Sequence, residues 1–506
     1  MMGREPNQQP KLFYDRINLD QRIRKDHILR QISQHIDFDF IYKEVQDTYG
    51  INGNVSVPPP VILKMMLLLI LYNVRSEREL LSTLLERLDW LWFLGFDLDD
   101  QIPNHSVLSK ARARWGSQAF KRFFERIVWQ CVQAGLVDGR KLFMDGCLIQ
   151  AHASNNSVVN TESLKRYLNK GYQKLVARLD EPEDRRNGHE LARPGETNRT
   201  HISTTDPDAT VVRQGGSRSK LKYQVHRAVD ERCEVITATE VTPGSVNEAH
   251  RMDSLLDAHE HNTARSAEVC VADSKYGTIE NYLSCHDRGV KSHFASFEQA
   301  HRGSGRQQGI FAKEAFDYDP GTDSFRCPAG ERLSRRRFNA RRQQWEYTAS
   351  VKTCRVCALA AQCTRSRLGR SLKRHLRQQA LDTMLSQAES GPARRDRKTR
   401  QHLMERSFAR GTRYGLKQAR WRRLWRVKIQ EYLTATIQNV MVLIRCLKER
   451  LASAAKARAR NLKSFDVKNP GSRQMPDQNS FNLLGRLGLD LGWLSDCRGI
   501  VICQSL

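Results

Sequence analysis

The sequence predicts an α/β core carrying a mixed five-stranded sheet with helices, preceded by an all-α N-terminal domain and interrupted by a cysteine-rich insertion. Three observations predict it. Residues 16–135 carry helical periodicity and few strand signals. Residues 140–296 switch to short β-branched and alternating runs separated by helical stretches. Residues 297–390 are then poor in apolar positions, rich in arginine and hold four clustered cysteines, before helical patterning resumes over 391–452. The closing stretch, 453–506, is rich in Gly, Asn and Ser without clear periodicity and reads as a poorly ordered tail.

In the N-terminal part, Pro58-Pro59-Pro60 breaks the chain and begins a helix over 61–74, where a proline's missing N–H costs nothing. Ser76-Glu77-Arg78-Glu79 has the pattern of a capping box and opens a helix to about Leu88. Asn104 is placed to cap a third, running through Val107, Leu108, Ala111 and Trp115. Short helices with tight turns suit a helix-turn-helix-like DNA-binding module or an ordinary helical bundle.

In the second part, Lys141-Leu142-Phe143-Met144 leads an apolar strand to Asp145 and Cys147. Residues 223–230 and 235–241 form a hairpin. A helix follows Asn247, a strand ends at Asp273, a helix spans 278–288, and a short strand lies near 292–295. Three strands, helix, strand, helix, strand is the order a ribonuclease H-like mixed sheet requires. Residues 155–220 interrupt it with a helix over 162–179 and a polar loop.

Composition narrows the partner. Lys and Arg number 83 against 56 Asp and Glu, a formal net charge of +27 in 506 residues, with a pI near 9.8 and mean hydropathy of −0.61. A charge of that size self-repels until a polyanion neutralises it, which points to nucleic acid. The polar N-terminus lacks the apolar core of a secretory signal. The most apolar run, 61–72, is shorter than the roughly 20 residues a membrane helix needs. Twelve cysteines without an export signal imply reduced thiols or metal ligands. The expected compartment is the cytoplasm, in association with the nucleoid.

Three carboxylates separated by long stretches of chain carry the chemistry. Asp145 and Asp273 each follow an apolar run, and Glu405 lies in the basic helical stretch Arg400-Gln401-His402-Leu403-Met404-Glu405-Arg406-Ser407-Phe408. Acids on two strands and a later helix can converge on a pair of Mg²⁺ (or Mn²⁺) ions, hard cations matched to carboxylate oxygen, and drive in-line attack on a phosphodiester. A strand-end aspartate taken alone is more often a turn former. Glu405 has a rival reading as a surface acid among arginines, with Glu431 and Asp396 as back-up third ligands.

The same region is strongly basic, with fourteen Lys or Arg and two acids between 394 and 428. Arg400, Arg406, Arg410, Arg413, Arg420, Arg422 and Arg423 are the candidate DNA-backbone contacts, while Trp421 and Trp425, spaced i,i+4, suit core packing. Cys327, Cys354, Cys357 and Cys363 could form a structural Zn²⁺ site, with Cys354-Arg355-Val356-Cys357 as the tight pair. A segment so poor in apolar residues would gain its fold from such a metal. Arg335-Arg336-Arg337 and Arg341-Arg342, interleaved with Phe338 and Trp345, suit either a DNA-contacting arm or plain solvated surface. Asp206 and Asp208, in the 204–209 loop, read first as an Asp-Pro turn and second as accessory groups over the site.

Several segments together resemble bacterial insertion-sequence DDE transposases: Thr204-Thr205-Asp206-Pro207-Asp208-Ala209, Val241-Thr242-Pro243-Gly244, Val271-Ala272-Asp273-Ser274-Lys275-Tyr276-Gly277 and Leu403-Met404-Glu405-Arg406-Ser407-Phe408. Phe93-Leu94-Gly95-Phe96-Asp97-Leu98 and Asn104-His105-Ser106-Val107-Leu108-Ser109 look like the N-terminal domain of the same enzymes. The resemblance implies a ribonuclease H-like catalytic domain, binding of terminal inverted repeats, Mg²⁺-dependent strand cleavage and transfer, and a dimer or larger assembly on double-stranded DNA. Asp145, Asp273 and Glu405 would be its three acids. The chain departs from the pattern around the third, where many relatives hold Tyr and Arg before the acid and Lys after it. Gln401 and Thr412 stand near those offsets here, among Arg400, Arg406, Arg410 and Arg413. Rival readings are a catalytically inactive descendant that binds DNA, and a nuclease that hydrolyses without transfer.

Overall fold

The computed structural model describes residues 2–4, 18–51, 54–161, 196–295 and 309–468. The chain divides into two units, Met1–Cys446 and Leu447–Leu506, and among the described residues every strand belongs to the first. The helix expected over 162–179 and the last 38 positions of the expected tail, 469–506, lie outside the described residues.

Among the described residues, eight α-helices between Leu19 and Gln133 precede the first strand. The helix Pro59–Leu71 starts on prolines at its first two positions and is buried along most of its length. Ser76 caps the helix Glu77–Leu84 by accepting from the Glu79 N–H at 3.1 Å, and Glu79 reaches back to the Arg75 N–H at 3.2 Å. This helix ends four residues earlier than its periodicity suggests. Asn104 accepts from the Ser106 N–H at 2.9 Å at the start of the helix Ser106–Trp115.

The main sheet is built from β1 (Lys141–Gln150), β4 (Thr210–Val212), β5 (Lys220–Asp230), β6 (Ile236–Pro243), β7 (Val269–Val271) and β8 (Lys291–Ser292). Its order is β6-β5-β1-β7-β8, antiparallel across β6, β5 and β1 and parallel from β1 through β8, with β4 added beside β5. Among the described residues the sheet therefore has six strands, where the sequence predicts five. β5 pairs with β6 only from Tyr223 onward, and β4 pairs with the remaining Lys220 to Lys222 edge, whose backbone groups need partners. A separate two-stranded ribbon joins β2 (Val158–Asn160) and β3 (His201–Ser203).

Period-2 alternation divides β1 between two cores. Leu142 and Met144 face a cluster with Met252, Leu255 and Leu256 of the helix Met252–Thr263, Tyr282 and Cys285 of the helix Ile279–Asp287, and Leu381 and Met384 of the helix Gln378–Glu389. Ile149 on the other face packs with Tyr223, Leu416, Ala419 and Val427. The helix Gly391–Arg413 lies along β1 and β7. The helix Leu424–Lys468 runs beyond Ala452, where the periodicity fades.

A second sheet carries the cysteines. Strands β9 (Asp317–Asp319), β10 (Ser324–Arg326), β11 (Arg332–Asn339), β12 (Gln344–Thr348) and β13 (Ser371–His375) pair antiparallel with their neighbours in order. The segment is not the coreless stretch its composition suggests: Phe316, Phe325, Leu333, Tyr347, Ala349 and Leu372 form a buried cluster of their own. Aromatic residues supply it, and each covers enough area for a few to suffice.

The candidate active site

Asp145 lies in the middle of β1, not at its end, because the strand continues to Gln150. Asp273 sits two residues beyond β7 and caps the short turn Ser274–Tyr276 by accepting from the Lys275 N–H at 2.9 Å. The last paired residues of the two parallel strands are Phe143 and Val271. Each aspartate is two positions past that pair, so period 2 puts both on the same face of neighbouring strands. The Asp145 carboxyl is raised from its ordinary value, first by burial and further by the Asp273 charge, against the lowering effects of Arg400 and the Gly146 N–H.

Both oxygens of Asp145 are held. Oδ1 accepts from the Gly146 N–H at 2.8 Å, and Oδ2 takes a charge-assisted bond from Arg400 Nη1 at 2.6 Å. Arg400 comes from the Gly391–Arg413 helix, which is fixed again at Arg227, opposite Asp145 in the β1–β5 register. Arg227 is fully buried and forms a bidentate pair with Glu431 at 2.7 and 3.0 Å. It also donates to the Ser407 carbonyl at 3.0 Å, and Thr239 donates to Glu431 at 2.8 Å. The sheet, the helix bearing Arg400 and the helix bearing Glu431 are thereby tied together beside Asp145. Glu431, a back-up third ligand, is committed to this pair. Asp396, the other, is bonded to Lys141 Nζ at 3.1 Å and His293 Nδ1 at 2.7 Å.

Glu405 lies on the same helix between Arg400 and Ser407, but on an exposed flank. The acid the structure brings to the aspartates is Glu248, which no sequence motif singles out. It opens the turn Glu248–Arg251, accepts from Gln224 Nε2 at 3.1 Å and pairs with Lys275 Nζ at 2.6 Å. Burial raises its carboxyl, and the charges of Asp273 and Asp145 add to the rise while Lys275 opposes it. The sequence holds one signal for it: Asn247, which caps this turn by accepting from the Ala249 N–H at 3.1 Å.

The candidate DNA-binding arginines separate into groups. Arg400 serves Asp145, and Arg406 and Arg410 both bind Glu234, at 2.5 and 2.8 Å. Arg420 is turned inward to the Val74 carbonyl and Asn73, joining this segment to the N-terminal helices. Arg422 donates to the His152 carbonyl at 3.2 Å, and Arg423 lies 3.7 Å from Asp208. Arg413 is exposed and makes no ion pair among the described residues. Asp206 and Asp208 act as caps, accepting from the Arg423 and Leu424 N–H groups at 2.9 and 2.8 Å where the helix Leu424–Lys468 begins. Trp421 lies half-buried against Arg112, 4.1 Å from ring centroid to guanidinium carbon.

Cys327, Cys354, Cys357 and Cys363 line one cavity of the second sheet. Burial raises the Cys363 thiol, and the three other thiols add to the rise against Arg370. Among the described residues, no group of three or more His, Cys, Asp or Glu stands arranged to hold a metal ion. The donor chemistry nevertheless fits in both places: paired carboxylates suit a hard divalent cation, and four thiols around one cavity suit zinc.

Residues 17–114 match the transposase domain family DUF772, and residues 326–444 match the transposase DDE domain family. These two matches support an insertion-sequence DDE transposase. The family implies a DNA substrate and phosphoryl-transfer chemistry that cleaves it. The DDE match includes Glu405 and the four clustered cysteines, whereas Asp145 and Asp273 precede it. No curated protein and no solved structure matches the chain. No helix among the described residues is long and apolar enough to cross a membrane.

Proposed function

We propose that this chain is a transposase that binds the terminal inverted repeats of an insertion sequence through its N-terminal helices, cleaves the strand ends and joins them to target DNA. Asp145, Asp273 and Glu405 would hold the divalent ions. The observation that carries the reading is the shared face and electrostatic interaction of Asp145, on β1, and Asp273, two residues past the parallel neighbour β7. The order β6-β5-β1-β7-β8, with its first three strands antiparallel and the rest parallel, supports a ribonuclease H-like core. When bound, Mg²⁺ supplies activation of the attacking hydroxyl and stabilisation of the leaving 3′ oxygen.

The chain's own groups prepare that chemistry. The Gly146 N–H and Arg400 orient the two oxygens of Asp145, and the Lys275 N–H orients one oxygen of Asp273. Mutual repulsion of the two carboxylates is the force a cation relieves. Glu405 is carried by the helix that Arg400 docks on Asp145, so its approach would be controlled by that helix. Arg413 and the arginines of the second sheet would contact DNA backbone, and the four cysteines would hold a structural zinc. The synaptic assembly would be a dimer or larger, working in the cytoplasm at the nucleoid. The test incubates the purified chain with duplexes carrying the element's ends, target DNA and Mg²⁺. Metal-dependent joining of 3′-OH ends to target is expected. Cleavage without joining would identify a nuclease, and binding without cleavage an inactive descendant.

A further inference from the structure

Glu248 is almost wholly buried, at 3% side-chain exposure, whereas its partner Lys275 is 66% exposed, yet the two are 2.6 Å apart. An exposed lysine normally leaves its ammonium in water, where it loses no rotamer freedom. Here a buried carboxylate holds it. Lys275 is two residues after Asp273, and its backbone N–H is the donor that orients Asp273. The next residue, Tyr276, is fully buried in the core beneath the sheet. The turn carrying Asp273 is therefore fastened at two successive side chains, one by apolar packing and one by charge.

The space for this ion pair comes from Gly146. A Cβ at that position would lie 2.5 Å from Glu248 Oε2 and 2.7 Å from Gln224 Nε2, closer than atoms approach. The side chain missing next to Asp145 is what lets the third carboxylate reach the strand. We propose that Glu248 is a positioning residue for Asp273, acting through Lys275, and that Gly146 is the vacancy that admits it. The inference rests on the reading of Asp145 and Asp273 as the divalent-cation site. The Glu248–Lys275 pair fixes the turn before the ion arrives, so the ion need not order the loop on binding.

The test is direct Mn²⁺ titration of the full chain, with the metal concentration for half-maximal cleavage measured in parallel. Glu248→Gln should weaken Mn²⁺ affinity about 10- to 100-fold, the usual effect of removing a group that orients a ligand. Lys275→Met should match it, and the double variant should be no worse than either single one. Gly146→Ala should shift affinity in the same direction without removing a charge. Retained duplex binding shows that each variant is folded. A folded Glu248→Gln variant with parental Mn²⁺ affinity overturns the inference. If Asp145→Asn still loses Mn²⁺ binding, the metal-site reading survives that result. If the parent chain itself takes up no Mn²⁺, both fail together.

Discussion

On the main sheet and the elements packed against it, Arg227 and Glu431 are fully buried and bonded to each other, and Arg400, Lys141 and Lys275 each end on a carboxylate. In the second sheet Arg335 pairs with Asp323 and Arg374 lies over the Tyr318 ring, while the other strand cations point outward. Arg326 and Arg332 form one cross-strand row, Ser334, Thr348 and Ser371 the next, and Arg337, Glu346 and Lys373 a third, all on the side opposite Phe325, Leu333, Tyr347 and Leu372. Arg336 is exposed at the bulge between Arg335 and Arg337. The same residue types thus set internal geometry in one sheet and a surface field in the other. Burial decides which, because a buried charge must be paired while an exposed one is free to meet a polyanion.

Breaking one charge in each sheet gives the sharpest contrast. Arg227→Met should cost about 3–5 kcal/mol in denaturant unfolding, because Glu431 is left charged and unpaired. Arg227→Met with Glu431→Leu should recover much of that loss. Arg337→Gln should change stability by less than about 0.5 kcal/mol. Equal losses at the two positions would erase the distinction. Metal analysis sharpens it: about one zinc per chain is expected if four thiols close on a tetrahedral ion, and Cys357→Ser should abolish it. The aromatic core of the second sheet should keep much of its structure without the ion, and full unfolding on chelation would show that the metal, not the core, folds it. The smallest effect is expected at the surface. Replacing Arg336, Arg337 and Lys373 by Gln should lower the log–log salt slope of duplex binding by about 0.9 for each phosphate no longer neutralised. An unchanged slope would make these cations plain solvated surface.

Much of the main sheet is legible in the sequence because its signals are local. Lys141-Leu142-Phe143-Met144 marks a strand, 223–230 and 235–241 read as a hairpin, and the helix expected over 278–288 is there as Ile279–Asp287, capped by Thr278, which accepts from the Asn281 N–H at 3.2 Å. The second sheet is hidden because its core residues are few and unevenly spaced, and β11 offers a single inward Leu333 among arginines. The helix Gln378–Glu389 falls within the insertion by composition, although Leu381, Met384 and Ala388 pack beneath the main sheet. At the site, Asp145 and Asp273 are legible because each follows an apolar strand run. Glu248 and Lys275 are not, since nothing local encodes an ion pair between residues 27 positions apart whose meeting depends on the glycine at 146. Arg400 reads as a phosphate-binding residue for the same reason: charge composition shows how many cations a helix carries, not which one faces an acid.

The most direct test of the central claim is strand cleavage by Asp145→Asn and Asp273→Asn in Mg²⁺, with duplex binding measured on the same samples. Loss of cleavage in both variants with binding retained is the predicted result. Undiminished cleavage by either one would contradict the assignment of these two carboxylates as the heart of the enzyme.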